Sequence, residues 1–433
     1  MPITFETEWV AADEIRGPEL ASTWASLLIR VDDSVITRVL DQRARTVRDR
    51  VYVPLYPLAE SLVTNWWFLL HEVGNPVKSD DHAFKQRHAL VSARDGYAFP
   101  RLHMASSGSR VLLAWMPDSF LWARIEYRGR DEIWIDKNEF RASCTDLVDR
   151  VVRRLAACGV EGTFLQEEWE SIRAADQDES LFCKTAAGLG WDPYALNDAQ
   201  RAAVLRLADV LDPAILEEAV AVLDGARLEE HATAIATALE PGRYAGLPLE
   251  HLRAARPRPT ARAEGGSPWS AGYALARDVR QRMGLDDEPL PSTNALGEAL
   301  REDPAALVQA TRPRSLGGAD LVNGVVTADA DGLPAFALRG GPASSRRFHF
   351  CRGLAEVLTS PGSPALLTRA QSDRQQRSRA FAAEFLAPAA ALQDRVHRPV
   401  LDEEDVEELA AEFGVSPLLI SHQLENHQIA RIW

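Results

Sequence analysis

The chain has 433 residues, of which 46% are hydrophobic, 26% charged and 7% aromatic. This composition is typical of globular proteins, excludes a disordered or fibrous chain, and provides enough length for two to four domains. The 48 Lys and Arg residues stand against 63 Asp and Glu residues, so the net charge is −15. A charge of this sign argues against a protein that is held broadly on nucleic acid or anionic lipid.

The sequence carries no recognisable targeting or membrane signal. Its first residues, MPITFETEWV, have neither the basic nor the apolar region of a signal peptide, and no apolar run approaches the roughly 18 to 20 residues of a membrane span. The cysteines lie far apart and show no metal-binding spacing; they are Cys144, Cys158, Cys183 and Cys351. We therefore expect a cytoplasmic protein with reduced thiols.

Residues 1–178 are predicted to form an α+β domain of unknown role. Near-alternating β-branched and apolar residues indicate strands, which we place at 27–33, 34–40, 50–56, 101–105, 110–116, 122–128 and 131–136. Helical spacing indicates helices, which we place at 57–73, from about Ser143 to Ala157, and from about Phe164 onward.

The next stretch, 179–254, has almost wholly helical patterning and is predicted to form a small helical domain. Asp212 and Pro213 provide a cap and a first turn for one of its helices. Residues 255–268 then combine Pro, Gly, Arg and Ala without apolar periodicity. Such composition favours a solvated linker, and we place the main domain boundary there.

Residues 269–433 are predicted to form a third domain, with a small sheet and packed helices. The pattern places amphipathic helices at 271–285 and 292–302, strands at 319–328 and 333–340, and a third strand that leads into Arg346. Helices follow at 345–358 and 372–388, and then an acidic helix and a last helix. The whole chain is therefore read as multidomain α+β.

The C-terminal residues resemble the ImmA/IrrE-like zinc metallopeptidases. The resemblance follows chain order: an amphipathic helix, a small sheet, an Arg-Arg-Phe segment at 346–348 that leads into the active-site helix, a helix that ends in 381–388, and a Phe-Gly-Val-Ser segment at 413–416 before a final helix. It covers about 272–430 and implies a zincin-like C-terminal domain. The first 250 residues contain none of this family's motifs.

The family holds zinc with the two histidines of an HExxH motif and a glutamate from the next helix, and the motif's own glutamate is the general base. Aligned on the flanking motifs, Arg352 and Glu356 take the histidine positions, Gly353 takes the position of the base, and Gln375 takes that of the last ligand. The resemblance therefore implies a degenerate active site without catalytic residues.

These replacements are incompatible with a zinc site. Arg352 has no lone pair to donate, and its permanent charge repels a dication. A structural zinc site draws about 10 to 16 kcal/mol from neutral and anionic ligands, which Glu356 alone cannot supply. We expect neither a metal nor another cofactor. Two interpretations remain open: Arg352, Glu356 and Gln375 bridge two helices, or Arg352 and Glu356 are ordinary surface residues.

Two weaker motifs are interpreted as structural. His71 and Glu72 begin a near-match to HExxH, but Asn75 replaces its second histidine and the helix is expected to end there. The end of the chain has the spacing of a helix-turn-helix, with Gly414 at the turn. Its first helix is strongly acidic and its second lacks Lys and Arg, so we expect a packing role there rather than DNA binding.

The sequence favours a regulatory or interaction protein over an enzyme. A basic cluster that includes Arg374, Arg377 and Arg379 is either solvated or binds an acidic partner. The leading hypothesis is a catalytically inactive, metallopeptidase-like protein that binds a protein partner in a bacterial regulatory, mobile-element or defence circuit. The resemblance implies a helix-turn-helix repressor or the product of a neighbouring gene as partner; neither nucleic acid nor a membrane is expected.

Two alternatives stay open at this stage. The first is an active zinc endopeptidase that cleaves a repressor and whose ligands are misaligned above; only this alternative requires zinc. The second is a DNA-binding transcriptional regulator that uses the last two helices.

Overall fold

The structure is a computed structural model that describes residues 2–12, 14–74, 79–223, 225–257, 267–285, 287–316 and 322–433. It contains both helices and small sheets, which confirms the predicted mixture of α and β structure. The chain divides into two compact units, 1–204 and 205–433, and each is described by itself.

The N-terminal unit combines antiparallel sheets with helices. Its strands are β1 Ile3–Trp9, β2 Trp24–Val31, β3 Ser34–Val35, β4 Val39–Asp41, β5 Thr46–Arg48, β6 Val51–Pro54, β7 Arg101–Ser107, β8 Arg110–Met116, β9 Asp118–Phe120, β10 Ile125–Tyr127 and β11 Asp131–Asp136. Its helices are α1 Pro18–Ser22, α2 Tyr56–Thr64, α3 Trp66–His71, α4 His82–Arg87, α5 Lys137–Ala157, α6 Phe164–Ala174 and α7 Gln177–Gly188.

Three sheets build this unit around one apolar core. Strand β2 lies between β1 and both β3 and β6, a second sheet has the order β5-β4-β10-β9, and a third has the order β11-β8-β7. Helix α5 begins six residues earlier than Ser143 because the side chain of Asp136 accepts hydrogen bonds from the backbone N–H groups of Asn138 and Glu139. The single helix predicted at 57–73 is interrupted at Asn65 and forms α2 and α3.

The C-terminal unit is largely helical and contains one mixed sheet. Helix α8 Asp198–Val210 crosses the division between the units. The helices that follow are α9 Pro213–Val220, α10 Leu228–Leu239, α11 Glu250–Ala254, α12 Pro268–Arg282, α13 Thr293–Leu300, α14 Pro304–Ala310, α15 Ala343–Thr359, α16 Asp373–Leu386, α17 Ala389–Arg395, α18 Glu403–Phe413 and α19 Pro417–Asn426. The strands are β12 Pro313–Arg314, β13 Val322–Ala328, β14 Pro334–Arg339, β15 Ala365–Thr368, β16 Val400–Leu401 and β17 Arg431–Ile432.

The main sheet of this unit has the order β12-β14-β13-β15. Strand β12 pairs with β14 in parallel, and the other neighbours are antiparallel. Helix α15 packs on the sheet and against α16, and α16 also packs along α12. Apolar side chains of these elements, of the strands and of the last helices form one core.

The structure differs from the predicted elements in the main sheet of this unit. The predicted third strand that leads into Arg346 is wrong, because α15 already begins at Ala343. The outer strand is instead β15, which follows α15 in sequence and pairs with β13. Its four apolar and β-branched residues are too few to show a period, which is why the pattern did not indicate it.

The two compact units also divide the chain differently from the predicted domains. The helices expected at 179–254 do form, but the division at 204/205 distributes them between both units. Of the predicted linker, 258–266 lies outside the described residues, and Pro268 already begins α12. Within the described ranges, no helix is both long and apolar enough to cross a membrane.

Candidate functional site

Helix α15 carries three of the four predicted site positions into the interior of the C-terminal unit. It follows the Gly340-Gly341-Pro342 segment and runs for 17 residues. From Phe350 to Leu358 every residue is buried, because one side of the helix covers the sheet and another meets α16. The interpretation of Arg352 and Glu356 as surface residues is therefore wrong: each is 1% exposed.

Arg352 is held by acceptors from two other elements. Its Nη2 donates to the carbonyl oxygen of Thr368 over 2.9 Å and to Oε1 of Gln375, and its Nε lies 3.4 Å from the hydroxyl of Ser378. Burial lowers the pKa of Arg352 to about 9; nearby Arg379 acts in the same direction, whereas Glu356 and Glu218 oppose it. The guanidinium therefore still carries its proton at neutral pH.

Gln375 is fully buried at the start of α16 and closes the free edge of β15. Its Nε2 donates to the carbonyl oxygen of Leu366 over 2.7 Å, and its Oε1 accepts the backbone N–H of Thr368 over 2.9 Å. A neighbouring strand would offer the same donor and acceptor to these two groups. At this point of the edge, the side-chain amide thus takes the place of an added strand.

Glu356 is bound by an arginine other than the one predicted. Its Oε2 accepts a hydrogen bond from Nε of Arg374 over 2.5 Å, whereas Oε1 has no hydrogen-bond partner among the described residues. A second buried carboxylate, Glu218 of α9, accepts from the hydroxyl of Ser372, and burial raises its pKa. The sequence did not indicate Glu218, which lies far from the motif along the chain.

Gly353 faces the sheet rather than an open cleft. A Cβ atom at this position would lie 2.7 and 2.9 Å from two ring carbons of Phe336 and 3.1 Å from a methyl group of Val326. Real Cβ atoms are essentially never found that close to a neighbour. The packing therefore requires glycine here and has no room for the side chain of a general base.

The other predicted partner-binding residues are partly used inside the fold. Arg374 binds Glu356, and Arg377 lies 3.2 Å from the hydroxyl of Thr359. Arg379 donates to the carbonyl oxygen of Ala370 over 2.9 Å. Of these three arginines, only Arg379 lines the groove described next.

A groove of about 530 Å³ opens beside the buried cluster, between α12, α15, α16 and α19. It lies toward the beginning of α15 and therefore next to Arg352 rather than around it. We call it the α15–α19 groove. Its lining residues are Trp269, Tyr273, Ser344, Ser345, Phe348, His349, Gln371, Gln376, Arg379, Ala380, Ala383, Val415, Ser416, Leu418, Leu419, His422, Gln423 and Asn426.

This groove was missed from the sequence because its walls come from four separate segments. The only local sign is a pair of large apolar side chains at helix starts, Trp269 and Leu418, which are 41% and 65% exposed. His349, three residues before Arg352, lies in its wall, and burial lowers the pKa of His349 to about 4.

Comparison with known families assigns this region. Residues 342–425 match the model of the IrrE N-terminal-like domain, Peptidase_M78. The C-terminal region is therefore ImmA/IrrE-like. The match begins at the residue before α15 and ends in α19, so it contains the buried cluster and most of the groove. No curated protein and no solved structure matches the chain significantly.

The residues of this IrrE-like region do not fit the zinc ion that the resemblance implies. At one predicted ligand position lies the buried guanidinium of Arg352, and at another the amide of Gln375, which is bound at both its nitrogen and its oxygen. Among the described residues, no group of three or more His, Cys, Asp or Glu side chains is arranged to hold a metal. The remaining carboxylate, Glu356, is bound by Arg374.

The two weaker motifs are part of the packing. Glu72 is buried and is bound by Arg87 over 2.8 Å and by His88 over 3.1 Å, while Asn75 lies outside the described residues. At the end of the IrrE-like region, Gly414 takes a φ of 62° between α18 and α19. The apolar residues Ile420 and Leu424 of α19 are fully buried in the core.

Proposed function

We propose that the protein is a catalytically inactive, metallopeptidase-like regulator of the bacterial cytoplasm, whose zincin-like C-terminal unit binds a protein partner without cleaving it. The observation that carries the proposal is the buried contact between Arg352 and Gln375. It supports the proposal because neither a buried cation nor an engaged amide can serve as a metal ligand, and these are two of the positions at which the resemblance predicts metal ligands.

The same contact also argues against binding of the partner as an additional β-strand on the edge of the sheet. An extended peptide needs free N–H and C=O groups along a sheet edge. On β15 the groups of Leu366 and Thr368 that point away from the sheet are already bound by Gln375 and Arg352. A partner segment is therefore expected in the α15–α19 groove, where apolar and polar side chains remain accessible.

The natural partners for such a groove are proteins of the same circuit. A helix-turn-helix repressor or the product of a neighbouring gene would be held rather than cut, so its activity would be changed by sequestration. Regulatory, mobile-element and defence circuits all contain partners of this kind. Cofactors have no role in this proposal.

Metal analysis tests the inactive centre. Full-length protein is incubated with zinc, freed of loosely bound metal, and analysed for zinc per chain. We expect far less than one zinc per chain and no change in thermal unfolding on chelation, because the donors are missing. Zinc at about one per chain, with proteolysis that chelation abolishes, would instead establish the active peptidase.

Site-specific photocrosslinking tests the partner. A photoreactive phenylalanine analogue replaces Leu418 in the groove, and in a matched control it replaces Val308 of α14, which is also exposed and lies outside the groove. We expect a discrete protein adduct from position 418 in host cells and none from position 308. Equal adducts from both positions would contradict the proposal, and steeply salt-dependent binding of duplex DNA would favour the DNA-binding alternative.

A further inference from the structure

The α15–α19 groove has one permanently charged side chain in its lining, and it is positive. Arg379 is its only arginine or lysine, and His349 and His422 are its histidines. Among its lining residues there is no Asp or Glu, although acidic residues outnumber basic ones in the chain as a whole by 63 to 48. The carboxylate that interacts with Arg379, Glu218, is not among the lining residues, so the lining itself would repel a positively charged occupant and attract an anionic one.

The beginning of α15 adds to this preference. The helix follows Pro342, whose side chain makes no capping hydrogen bond, and Ser344 and Ser345 of its first turn line the groove. The first N–H groups of a helix have no partner within the helix, and the helix dipole favours negative charge beside them. Helix α19, by contrast, is capped by the side chain of Ser416.

The remaining wall is apolar and suits one bulky side chain. Phe348, Leu419, Trp269 and Leu418 contribute most of its large apolar side chains, and the last two are considerably exposed. A groove of about 530 Å³ accommodates a few residues rather than a whole helix. Large exposed apolar side chains around a concave site are typical of an interaction site.

We infer that the α15–α19 groove binds a short peptide segment in which a bulky apolar residue stands beside an acidic residue. The carboxylate lies near Arg379 and the first turn of α15, and the apolar side chain lies against Phe348 and its neighbours. This inference rests on the proposed function and specifies the chemistry of the partner.

A display library of random linear octapeptides tests the inference with a defined probe. Full-length protein is the bait, and Leu418→Ser, an exposed substitution that leaves the core intact, serves for counter-selection. We expect enrichment of Asp or Glu next to Leu, Phe, Trp, Tyr or Met among the peptides that the groove retains. Enrichment of basic peptides, or no enrichment that depends on Leu418, would overturn the inference.

Arginine variants then separate charge from folding. For a selected peptide, Arg379→Met should weaken binding by about tenfold or more, whereas Arg379→Lys should retain most of the affinity. The control is Arg312→Met, which changes an exposed arginine outside the groove and should have no effect on binding. Equal affinity for the Arg379→Met protein would overturn the inference. The photocrosslinking experiment at position 418 distinguishes the inference from the proposed function. If the captured partner binds the groove through a basic segment, the inference is refuted and the proposed function is not.

Discussion

The guanidinium of Arg352 donates to the side-chain oxygen of Gln375, and the sequence predicts that both residues stand at zinc-ligand positions of the family. The contact joins α15 to α16, and through Thr368 it also fixes the outer strand of the sheet. A zinc ion would link the same two helices by coordination. In this chain, hydrogen bonds among buried groups link them instead.

Replacement of Arg352 by Met should destabilise the C-terminal unit. The substitution keeps much of the side-chain volume but removes the donor for the carbonyl of Thr368 and a cation between two buried carboxylates. We expect the free energy of unfolding to fall by about 2 to 4 kcal/mol, measured by denaturant titration. Arg312→Met, at an exposed position of the same unit, is the control and should stay within about 0.5 kcal/mol of the wild type. A neutral Arg352→Met variant would contradict the described role.

Replacement of Gln375 by Leu should open the edge of β15. Leucine has a similar volume but neither donates to Leu366 nor accepts from Thr368. We expect a loss of about 1 to 3 kcal/mol and faster amide hydrogen exchange in peptides that contain residues 365–368. Gln376→Leu, one position further along α16, is the matched control. Unchanged exchange in the Gln375→Leu protein would show that the amide does not protect this edge.

The sequence predicted which residues would come together but not all of their contacts. Arg352 and Glu356 lie on one helix, and Gln375 of the next helix contacts Arg352. The partner of Glu356 could not be predicted, because Arg374 competes with Arg352 and only the packing of α16 decides between them. Local patterns describe neighbours along the chain, whereas this choice depends on neighbours in space.

Most long elements were likewise predictable, but the seven-residue strand β1 was not predicted. Strands β7, β8 and β11 and helices α15 and α16 have enough residues to show their period. Strand β15 is too short, and the participation of Glu218 depends on the docking of α9 against that strand. The α15–α19 groove shares this dependence, because the residues that line it come together only when α12, α15, α16 and α19 pack against one another.

Replacement of Glu218 by Gln should stabilise the protein in a pH-dependent way. Burial raises the pKa of Glu218 above its usual 4.5, so the folded state holds this proton more tightly than the unfolded state and stability falls as pH rises through the folded-state pKa. The amide avoids that loss and keeps an oxygen for the hydroxyl of Ser372. We expect Glu218→Gln to unfold at a higher temperature than the wild type at pH 8, and the difference to disappear below pH 4.

The exposed neighbour Glu217 supplies the control for this experiment. Glu217→Gln has the same change of charge on the same helix, and it should show no such difference between pH 8 and pH 4. If both variants shifted equally, the effect would come from net charge rather than from the buried carboxyl group. If neither shifted, the described burial of Glu218 would be wrong.

Substitution of Gly353 decides whether the family's catalytic motif can be restored by residue changes alone. Even alanine would place its Cβ 2.7 Å from the ring of Phe336, so Gly353→Ala should cost about 1 to 3 kcal/mol, and Gly353→Glu should cost more. Gly340→Ala, where the nearest atom lies 3.9 Å away, should be tolerated. Because the ring is the obstacle, Phe336→Leu should recover part of the loss in the Gly353→Ala background, which a double-mutant cycle measures. Additive losses in that cycle would show that the ring does not exclude a side chain at 353. Coupling between the two positions would mean that the ring of Phe336 occupies the space that a side chain at position 353 needs. We therefore expect that the four substitutions Arg352→His, Gly353→Glu, Glu356→His and Gln375→Glu together do not produce a zinc peptidase unless Phe336 is changed as well.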